Sequence, residues 1–556
     1  MTTQYDYVIV GAGSAGCVMA GRLADACPDA TIALLEAGPP DDSVLVRTPL
    51  GIAALISYRT RFNWMFRTAP QRALHNRKTW QPRGRGLGGS SSINAMIYTR
   101  GHAGDYDDWA ALGCPGWRYN DVLPYFIRAE ANARGADAFH GASGPLSVQD
   151  LRHVNPYSRH FIEAARQAGF PLNEDFNGAT QEGIGLYQVT QRDGERWNAA
   201  RAYLHDRPRS NLHVLTQAHA LRIRFDGKQA DAVEFTRAGK TDTIRARCEI
   251  IVSSGAFGSP QLLMCSGVGP AAALQALGIP VIHDAPQVGQ DLQDHVDFTV
   301  QKRLPDRDLV GLSLGSVPAW LASLRDYRQR RDGMFSSNIA EAGGFIKSDP
   351  SLERPDLQLH FCTAMVDQHG RTLHWGHGYS IHVCVLRPRS RGSVDIKSAD
   401  TRVAPRIDPR FLSDPADAEA LLRGAKALRR ILEAPALATH GGKELHTDPA
   451  QTDTQLLDTI RAYAETIYHP VGTCRMGRDA NSVVDLELRV RGVTGLRVVD
   501  ASVMPKLIGG NTNAPTIMIA ERAVEKVLAA RESPEVRAHI ASGAASGACP
   551  PPAIAA

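Results

Sequence analysis

The chain lacks the cysteine spacings that would give its thiols a joint role. None of its nine cysteines forms a CxxC pair, and such pairs are typical of zinc clusters and redox motifs. An odd number of scattered cysteines also argues against a disulfide framework. The sequence therefore predicts reduced thiols, no metal centre and a cytoplasmic location.

Long apolar runs and basic runs are missing as well. No apolar window approaches the roughly 20 residues that a transmembrane helix needs, although peripheral contact with the inner membrane stays compatible with this. The start, MTTQYDYVIVGAG, lacks the basic and apolar parts of a signal peptide. Lysines and arginines (62) exceed aspartates and glutamates (58) by only +4, so a nucleic-acid partner is not expected.

The length and composition are those of a globular protein with more than one core. The chain has 556 residues, 43% of them hydrophobic and 22% charged, which favours two closely associated domains. The end of the chain, ASGAASGACPPPAIAA, is rich in Ala, Gly, Ser and Pro. Residues 533–556 are therefore predicted to be a disordered tail.

The first forty residues predict a dinucleotide-binding unit. The apolar run YDYVIV is typical of a buried parallel strand, and Gly11, Gly13 and Gly16 follow it as GxGxxG. In such a turn the first glycine permits the bend, the second lets a pyrophosphate approach, and the third lets helix and strand pack closely. Glu36 ends the next apolar run, where a carboxylate accepts hydrogen bonds from ribose hydroxyls. These residues fit NAD and FAD equally.

Three further glycine-rich segments are suited to a large cofactor. Residues 82–101, PRGRGLGGSSSINAMIYTRG, supply unhindered backbone N–H groups and small hydroxyls. Residues 249–269, EIIVSSGAFGSPQLLMCSGVG, predict a second strand and helix of the same sheet. Residues 495–530 predict a strand, Asp500, a glycine-rich loop and a helix with Pro515 in its first turn. The positive end of that helix is suited to a negatively charged group.

Taken together, these segments resemble the glucose–methanol–choline (GMC) oxidoreductases, a family of FAD-dependent enzymes. GRGLGGSSSIN at 84–94 and GAFGSPQLLMCSGVG at 255–269 match the family pattern without a gap, and the resemblance covers nearly the whole chain. SSNIAEAGGFIKS at 336–348 and GHGYSIHVCVLRPRSRGSV at 376–394 are most similar to bacterial quinone-coupled aliphatic alcohol dehydrogenases and to choline dehydrogenases.

The resemblance implies an FAD-dependent alcohol dehydrogenase. Such an enzyme oxidises a primary alcohol, aliphatic or aryl, to the aldehyde by hydride transfer to flavin N5, and it passes the electrons to a quinone-type acceptor. A choline dehydrogenase and an oxygen-using alcohol oxidase are alternatives within the family. A hydroxynitrile lyase, which keeps FAD without using its redox chemistry, is an alternative of another class. A pyridine-nucleotide disulfide reductase is disfavoured because a second dinucleotide fingerprint and a cysteine pair are missing. The sequence carries no signal for the oligomeric state.

The segment AETIYHPVGTCRMG holds the candidate base, His469. The segment alone allows three roles for His469. It could bind a metal together with Cys474, activate Cys474 as a nucleophile, or act as a base beside a cofactor. The family resemblance implies that His469 is the base beside the cofactor. It also implies that Asn513, in GNTNAPT, is the second active-site residue that works with His469. His469 would take the hydroxyl proton and Asn513 would hold the substrate oxygen. Capping of the following helix is an equally weighted role for Asn513.

The FAD is predicted to be held without a covalent bond. Some family members tether the flavin through a histidine, and Ile93 stands at the matching position here. The residues predicted to bind FAD are Gly11, Gly13, Gly16, Glu36, Gly89, Ser91, Asn94, Ala220, Asp500, Ala501, Asn511 and Thr512.

The predicted fold class is α/β, or α+β overall, with two interleaved domains. A Rossmann-like FAD-binding domain takes residues 1–160, 200–300 and 470–532. A substrate domain, built on an antiparallel sheet with helices, takes residues 161–199 and 301–469. The substrate cavity is expected between the two domains.

Overall fold

Two large β-sheets organise residues 3–531, which the computed structural model describes. The predicted 533–556 tail lies outside these residues. The fourteen α-helices of the described part are, in chain order, α1 (Ser14–Ala26), α2 (Val44–Arg47), α3 (Ile52–Ser57), α4 (Ala103–Ala111), α5 (Tyr119–Ala129), α6 (Pro156–Gln167), α7 (Ala199–Tyr203), α8 (Gly255–Cys265), α9 (Ala271–Ala276), α10 (Val317–Arg330), α11 (Pro415–Glu433), α12 (Pro435–Ala438), α13 (Asp453–Tyr463) and α14 (Asn513–Arg531).

The described part also forms twenty-four strands. In chain order they are β1 (Thr3–Val10), β2 (Ile32–Leu35), β3 (Phe66–Arg67), β4 (Trp80–Gln81), β5 (Glu130–Asn132), β6 (Leu146–Val148), β7 (Gly183–Leu186), β8 (Gln191–Arg192), β9 (Glu195–Arg196), β10 (Leu212–Leu215), β11 (His219–Asp226), β12 (Gln229–Arg237), β13 (Lys240–Val252), β14 (Val268–Gly269), β15 (His283–Asp284), β16 (Val296–Leu304), β17 (Ala340–Ile346), β18 (Leu357–Cys362), β19 (His377–Val385), β20 (Ser393–Asp395), β21 (Arg406–Asp408), β22 (Lys443–Glu444), β23 (Glu465–Thr466) and β24 (Leu496–Val498).

The first sheet is the dinucleotide-binding one. Its strand order is β10-β2-β1-β13-β12-β11, with β24 paired to β13. The strands at its centre are parallel, and Val10 pairs in register with Leu35 and with Val252. These central strands therefore end at one common edge, where ligands bind in open α/β sheets.

The second sheet is antiparallel, as predicted for the substrate domain. Its order is β22-β16-β19-β18-β17-β7, with β23 paired to β16. Strands β17, β18 and β19 are buried along their whole lengths. Strand β20 lies outside this sheet and pairs with β21.

Helix α11 covers the second sheet. The carboxylate of Asp414 accepts a hydrogen bond from the Ala416 N–H, and Pro415 takes the first helical position. Leu421 and Leu428 are fully buried on the side that faces the sheet. A Cβ on Gly424 would meet Val383 of β19 at 2.7 Å, so helix and sheet pack without room for a larger residue.

The predicted α/β class is confirmed, and two domain boundaries move. Helix α6 packs into the second core through Tyr157 and Phe161, so the predicted boundary at 160 falls inside a helix of the substrate domain. Strand β16 belongs to the second sheet, so the predicted boundary at 300 falls inside that strand. Among the described helices, none is long and apolar enough to cross a bilayer.

Candidate active site

A cavity of about 1150 Å³ lies between the two sheets. The common edge of the first sheet lines one side of it, through Val10, Leu35 and Ser253. His360 of β18 and His382 of β19 line the other side. This volume exceeds the roughly 300–1,000 Å³ of an ordinary small-molecule pocket, so it accommodates a large cofactor together with a substrate.

The glycine turn after β1 has the three features that its sequence predicts. Gly11 has φ +100, which disfavours any residue with a Cβ. A Cβ on Gly16 would overlap the carbonyl oxygen of Gly11, so the third glycine lets α1 pack against the turn. A Cβ on Gly13 would come no closer than 3.9 Å to another group, the oxygen of Ser253. Gly13 lines the cavity with its open side, which leaves room for a pyrophosphate there.

Glu36 joins the first two glycine-rich segments. One carboxylate oxygen accepts a hydrogen bond from the Ala12 N–H (2.9 Å), and the other accepts from the N–H groups of Gly38 (2.7 Å) and Gly86 (2.9 Å). Burial raises the pKa of Glu36, and these three hydrogen bonds oppose that rise. Glu36 therefore fixes the two turns relative to each other as well as lining the cavity.

Ten of the residues predicted to bind FAD line the cavity, and two do not. The ten are Gly11, Gly13, Glu36, Gly89, Asn94, Ala220, Asp500, Ala501, Asn511 and Thr512. Gly16 packs inside the turn instead. The Ser91 hydroxyl donates to the Gly88 carbonyl (2.5 Å) and accepts from the Ala199 N–H (3.0 Å).

The neighbour of Ser91, Ser90, lines the cavity in its place. Both lie in a 3-10 turn, Gly89–Ser92, in which successive residues point about 120° apart. Only one of two adjacent serines can therefore face the ligand, and the sequence of three serines does not say which.

The donors around the cavity fit FAD. Helix α1 begins after Gly13 with no side-chain cap and no acidic residue in its first turn, so its N–H groups are available to phosphate. Helix α14 also has no acidic residue in its first turn, and Thr512 and Asn513 at its start line the cavity. Ile93 lines the cavity too, and its side chain offers no atom for a covalent link.

His469 lies at the junction of the two sheets, next to β23. Its backbone N–H donates to Asp294 (2.8 Å). Its Nδ1 lies 3.0 Å from Nδ1 of His295, and its Nε2 lies 3.2 Å from Nδ2 of Asn511. The Nε2 of His295 lies 3.2 Å from the carbonyl oxygen of Leu386.

This chain of hydrogen bonds assigns the proton on each ring. A carbonyl oxygen only accepts, so Nε2 of His295 carries the hydrogen that points to Leu386. Burial lowers the pKa of His295 to about 3, so its ring is neutral and its Nδ1 is an acceptor. His469 then donates from Nδ1, which leaves its Nε2 as an unprotonated base that faces Asn511.

Asn511, and not Asn513, is the asparagine beside His469. The Oδ1 of Asn511 accepts hydrogen bonds from Gln358 Nε2 (2.9 Å) and Thr99 Oγ1 (3.1 Å), which turns Nδ2 toward His469. The Oδ1 of Asn513 accepts instead from the Ser14 hydroxyl (2.7 Å). The prediction of Asn513 as the partner therefore differs from the geometry, because Asn513 already belongs to the first turn of α14 and faces α1.

The buried histidines that line the cavity have defined protonation states. Burial, with smaller contributions from His295 and His360, lowers the pKa of His469 well below its usual range, so its ring is uncharged at neutral pH. Burial opposes protonation of His382, but the carboxylate of Asp297, 2.7 Å away, outweighs it and raises the pKa to about 10. His382 is thus an imidazolium that lines the cavity.

Cys474 is fully buried, and burial raises the pKa of its thiol well above the usual range. It is a packed side chain. His360 is also buried, and neither ring nitrogen has a hydrogen-bond partner among the described residues. Because His360 lines the cavity, both nitrogens are available to a bound molecule. A histidine inside an apolar strand such as LQLHFC is the sequence signal that would have found it.

Known proteins with similar sequences are oxidoreductases. The family model described as GMC oxidoreductase matches residues 5–297 and, in its C-terminal part, residues 388–520. The chain is 48% identical over 530 residues to an alcohol dehydrogenase [acceptor] of Pseudomonas putida, covering 94% of this chain and 96% of the relative. It is 42% identical to the mitochondrial choline dehydrogenase of Homo sapiens, covering 94% and 89% of the two chains.

Solved structures agree with this assignment. The crystal structure of pyridoxine 4-oxidase from Mesorbium loti superposes with a TM-score of 0.84 at 32% identity, covering 94% of this chain and 99% of that one. A variant of formate oxidase from Aspergillus oryzae gives a TM-score of 0.88 at 26% identity, covering 95% and 98%.

The chain belongs to the GMC oxidoreductase family. It is an FAD-dependent oxidoreductase that acts on CH–OH donors. The predicted family, cofactor and enzyme class are thereby confirmed.

Proposed function

We propose that this enzyme oxidises an uncharged primary alcohol, aliphatic or aryl, to the aldehyde and passes the electrons to a quinone-type acceptor at a membrane surface. The observation that carries the proposal is the unprotonated Nε2 of His469, which lines the cavity beside the amide of Asn511. The similarity to the alcohol dehydrogenase [acceptor] of Pseudomonas putida supports it.

His469 removes the hydroxyl proton of the alcohol. Its Nδ1 hydrogen is held by His295, so only Nε2 can accept a proton, and the ring is neutral before the reaction. Loss of that proton makes the carbinol carbon a far better hydride donor. Bound FAD supplies the acceptor for the hydride. General base catalysis of this kind contributes about 10²–10⁴ in rate.

Asn511 positions the substrate oxygen. Its Oδ1 is occupied by Gln358 and Thr99, so its Nδ2 hydrogens remain for His469 and for an oxygen that gains negative charge. Because three side chains fix the orientation of the amide before substrate arrives, little reorganisation accompanies the reaction.

The charge of the cavity favours an uncharged alcohol over choline. Among the described residues that line the cavity, the carboxylates are Glu36 and Asp500, and both accept backbone N–H hydrogen bonds on the side of the first sheet. On the side of the second sheet, the His382 imidazolium is paired with the Asp297 carboxylate. A quaternary ammonium loses hydration on binding and is favoured by an unpaired negative charge, which neither Glu36 nor Asp500 offers.

The substrate class is tested by anaerobic stopped-flow absorbance of the holoenzyme. Benzyl alcohol and 1-octanol are expected to bleach the oxidised flavin, while choline at equal concentration leaves it yellow. Bleaching by choline alone would contradict the argument from cavity charge. A flavin that no alcohol bleaches would favour the lyase alternative.

The roles of the two asparagines are separated by single variants. His469→Gln is expected to slow flavin reduction about 10²–10⁴-fold, and Asn511→Ala about 10²–10³-fold, because each removes a group that contacts the reacting oxygen. Asn513→Ala is the matched control and is expected to keep most of the rate, expressed per bound flavin. A larger loss in the Asn513 variant than in the Asn511 variant would return the partner role to Asn513.

A patch of exposed apolar side chains adjoins the mouth of the cavity and supports contact with a membrane. At this mouth Tyr58 and Leu373 line the cavity and are 44% and 65% exposed. Leu312 pairs through its backbone with Gly376, which brings the two segments of the patch together. The apolar patch consists of Leu312, Leu314, Val317, Leu321, Leu373 and Trp375. Contiguous exposed apolar surface of this kind marks an interaction site.

Positively charged side chains lie next to the apolar patch on helix α10. Arg325 and Arg328 lie on the same face as Val317 and Leu321, since spacings of four, seven and eleven residues return to one side of a helix. Both arginines are exposed and form no ion pair with the described residues. An apolar face with adjoining arginines is typical of helices that lie in the surface of an anionic bilayer. A quinone dissolved in that bilayer would reach the mouth of the cavity.

Membrane contact is tested by flotation with vesicles that contain phosphatidylglycerol. The double change Leu314→Glu, Leu321→Glu is expected to abolish flotation and the reduction of a vesicle-bound quinone. Turnover with a water-soluble dye should persist, because neither residue lines the cavity. Leu172→Glu, at another exposed leucine, is the control. Flotation equal to that of the native protein would contradict the proposal, and a changed oligomeric state would assign the patch to a second copy of the chain.

A further inference from the structure

We infer that Asp367, His374 and His446 form a binding site for one divalent zinc-type metal ion, separate from the flavin cavity. The Nε2 atoms of His374 and His446 lie 2.8 and 2.9 Å from the same carboxylate oxygen of Asp367. All three ligand atoms lie within 4.8 Å of one another. None of the three residues lines the cavity.

Tertiary structure brings the three ligands together. Asp367 and His374 lie on the loop that follows β18, and a backbone hydrogen bond from Thr372 to Asp367 folds this loop back on itself. His446 follows β22, at the far edge of the second sheet. The His446 ring stacks on Tyr463 of α13 with 4.4 Å between ring centroids, which sets its orientation.

The donor set is one that first-row divalent ions use. Two imidazole nitrogens and one carboxylate oxygen, with water in the fourth position, suit Zn²⁺. With metal–ligand bonds of about 2.0–2.1 Å, tetrahedral ligands lie about 3.3 Å apart. The two nitrogen–oxygen distances, 2.8 and 2.9 Å, therefore need to open by only a few tenths of an ångström.

The three ligand side chains are partly buried, which leaves room for a bound ion and for its entry from solvent. The side chain of Asp367 is 5% exposed, and those of His374 and His446 are 16% and 26% exposed. Imidazoles bind a metal ion in their neutral form, and the one carboxylate balances part of the charge of a divalent cation. One side stays open to water, which gives a metal ion a route of entry.

The consequence of metal binding lies in the loop 367–376. His369, Gly370 and Leu373 of this loop line the cavity, and Trp375 belongs to the apolar patch. A metal that joins Asp367 and His374 to His446 would hold the loop at the mouth of the cavity. The ion is structural, since its ligands stand outside the cavity and contact no reacting group.

The site is tested on tag-free holoenzyme, stripped with a chelator and then titrated with Zn²⁺ alone. Equilibrium dialysis with elemental analysis is expected to give one tightly held zinc per chain. Asp367→Asn, His374→Gln and His446→Gln, each made singly, should lose this ion while keeping their flavin. His75→Gln removes a histidine that pairs with a single aspartate at the surface, and it should keep the ion.

Thermal unfolding followed by flavin fluorescence gives a second readout. Zn²⁺ is expected to raise the unfolding temperature of the native and His75→Gln proteins and to leave the three ligand variants unchanged. Three single variants are used so that, if one of them fails to fold, the other two still test whether the zinc site exists. Equal zinc content in native protein and ligand variants, or no stoichiometric zinc in the native protein, would overturn the inference.

Discussion

Hydrogen bonds from the Leu386 carbonyl through His295 to His469 determine which atom of the active site can accept a proton. The carbonyl fixes the tautomer of His295, and His295 fixes that of His469. Burial keeps both rings uncharged. The base is therefore unprotonated at neutral pH, and its one unprotonated nitrogen faces the amide of Asn511. The chemistry proposed for this enzyme follows from that neutrality.

The two interleaved domains together supply the residues of this series of hydrogen bonds. His295 stands just before β16 and Leu386 just after β19, two adjacent strands of the second sheet. Asn511 comes from the loop that leads into α14, which packs against α1 of the first domain. A shift of one sheet against the other would break the contact between His469 and Asn511. The positions of both domains are thus coupled to the geometry of a single hydrogen bond.

Local sequence predicted what depends on backbone spacing. Gly11, Gly13 and Gly16 have the conformations and contacts that their motif requires, because a turn between a strand and a helix is determined within a few residues. Side-chain direction was less predictable. Asn511 and Asn513 are two residues apart, and only the start of α14 decides which of them faces His469. Asp367, His374 and His446 form no motif, since a loop fold and a distant sheet edge bring them together.

The pH dependence of anaerobic flavin reduction at saturating alcohol tests the central claim, that His469 is a neutral base with a lowered pKa. An exposed histidine titrates near pH 6.5. Because burial disfavours its charged form, His469 should stay unprotonated below that pH. The account predicts a rate constant that holds its plateau through pH 6.5 and declines only at lower pH. A decline centred at about pH 6.5 or above, lost in His469→Gln, would contradict it.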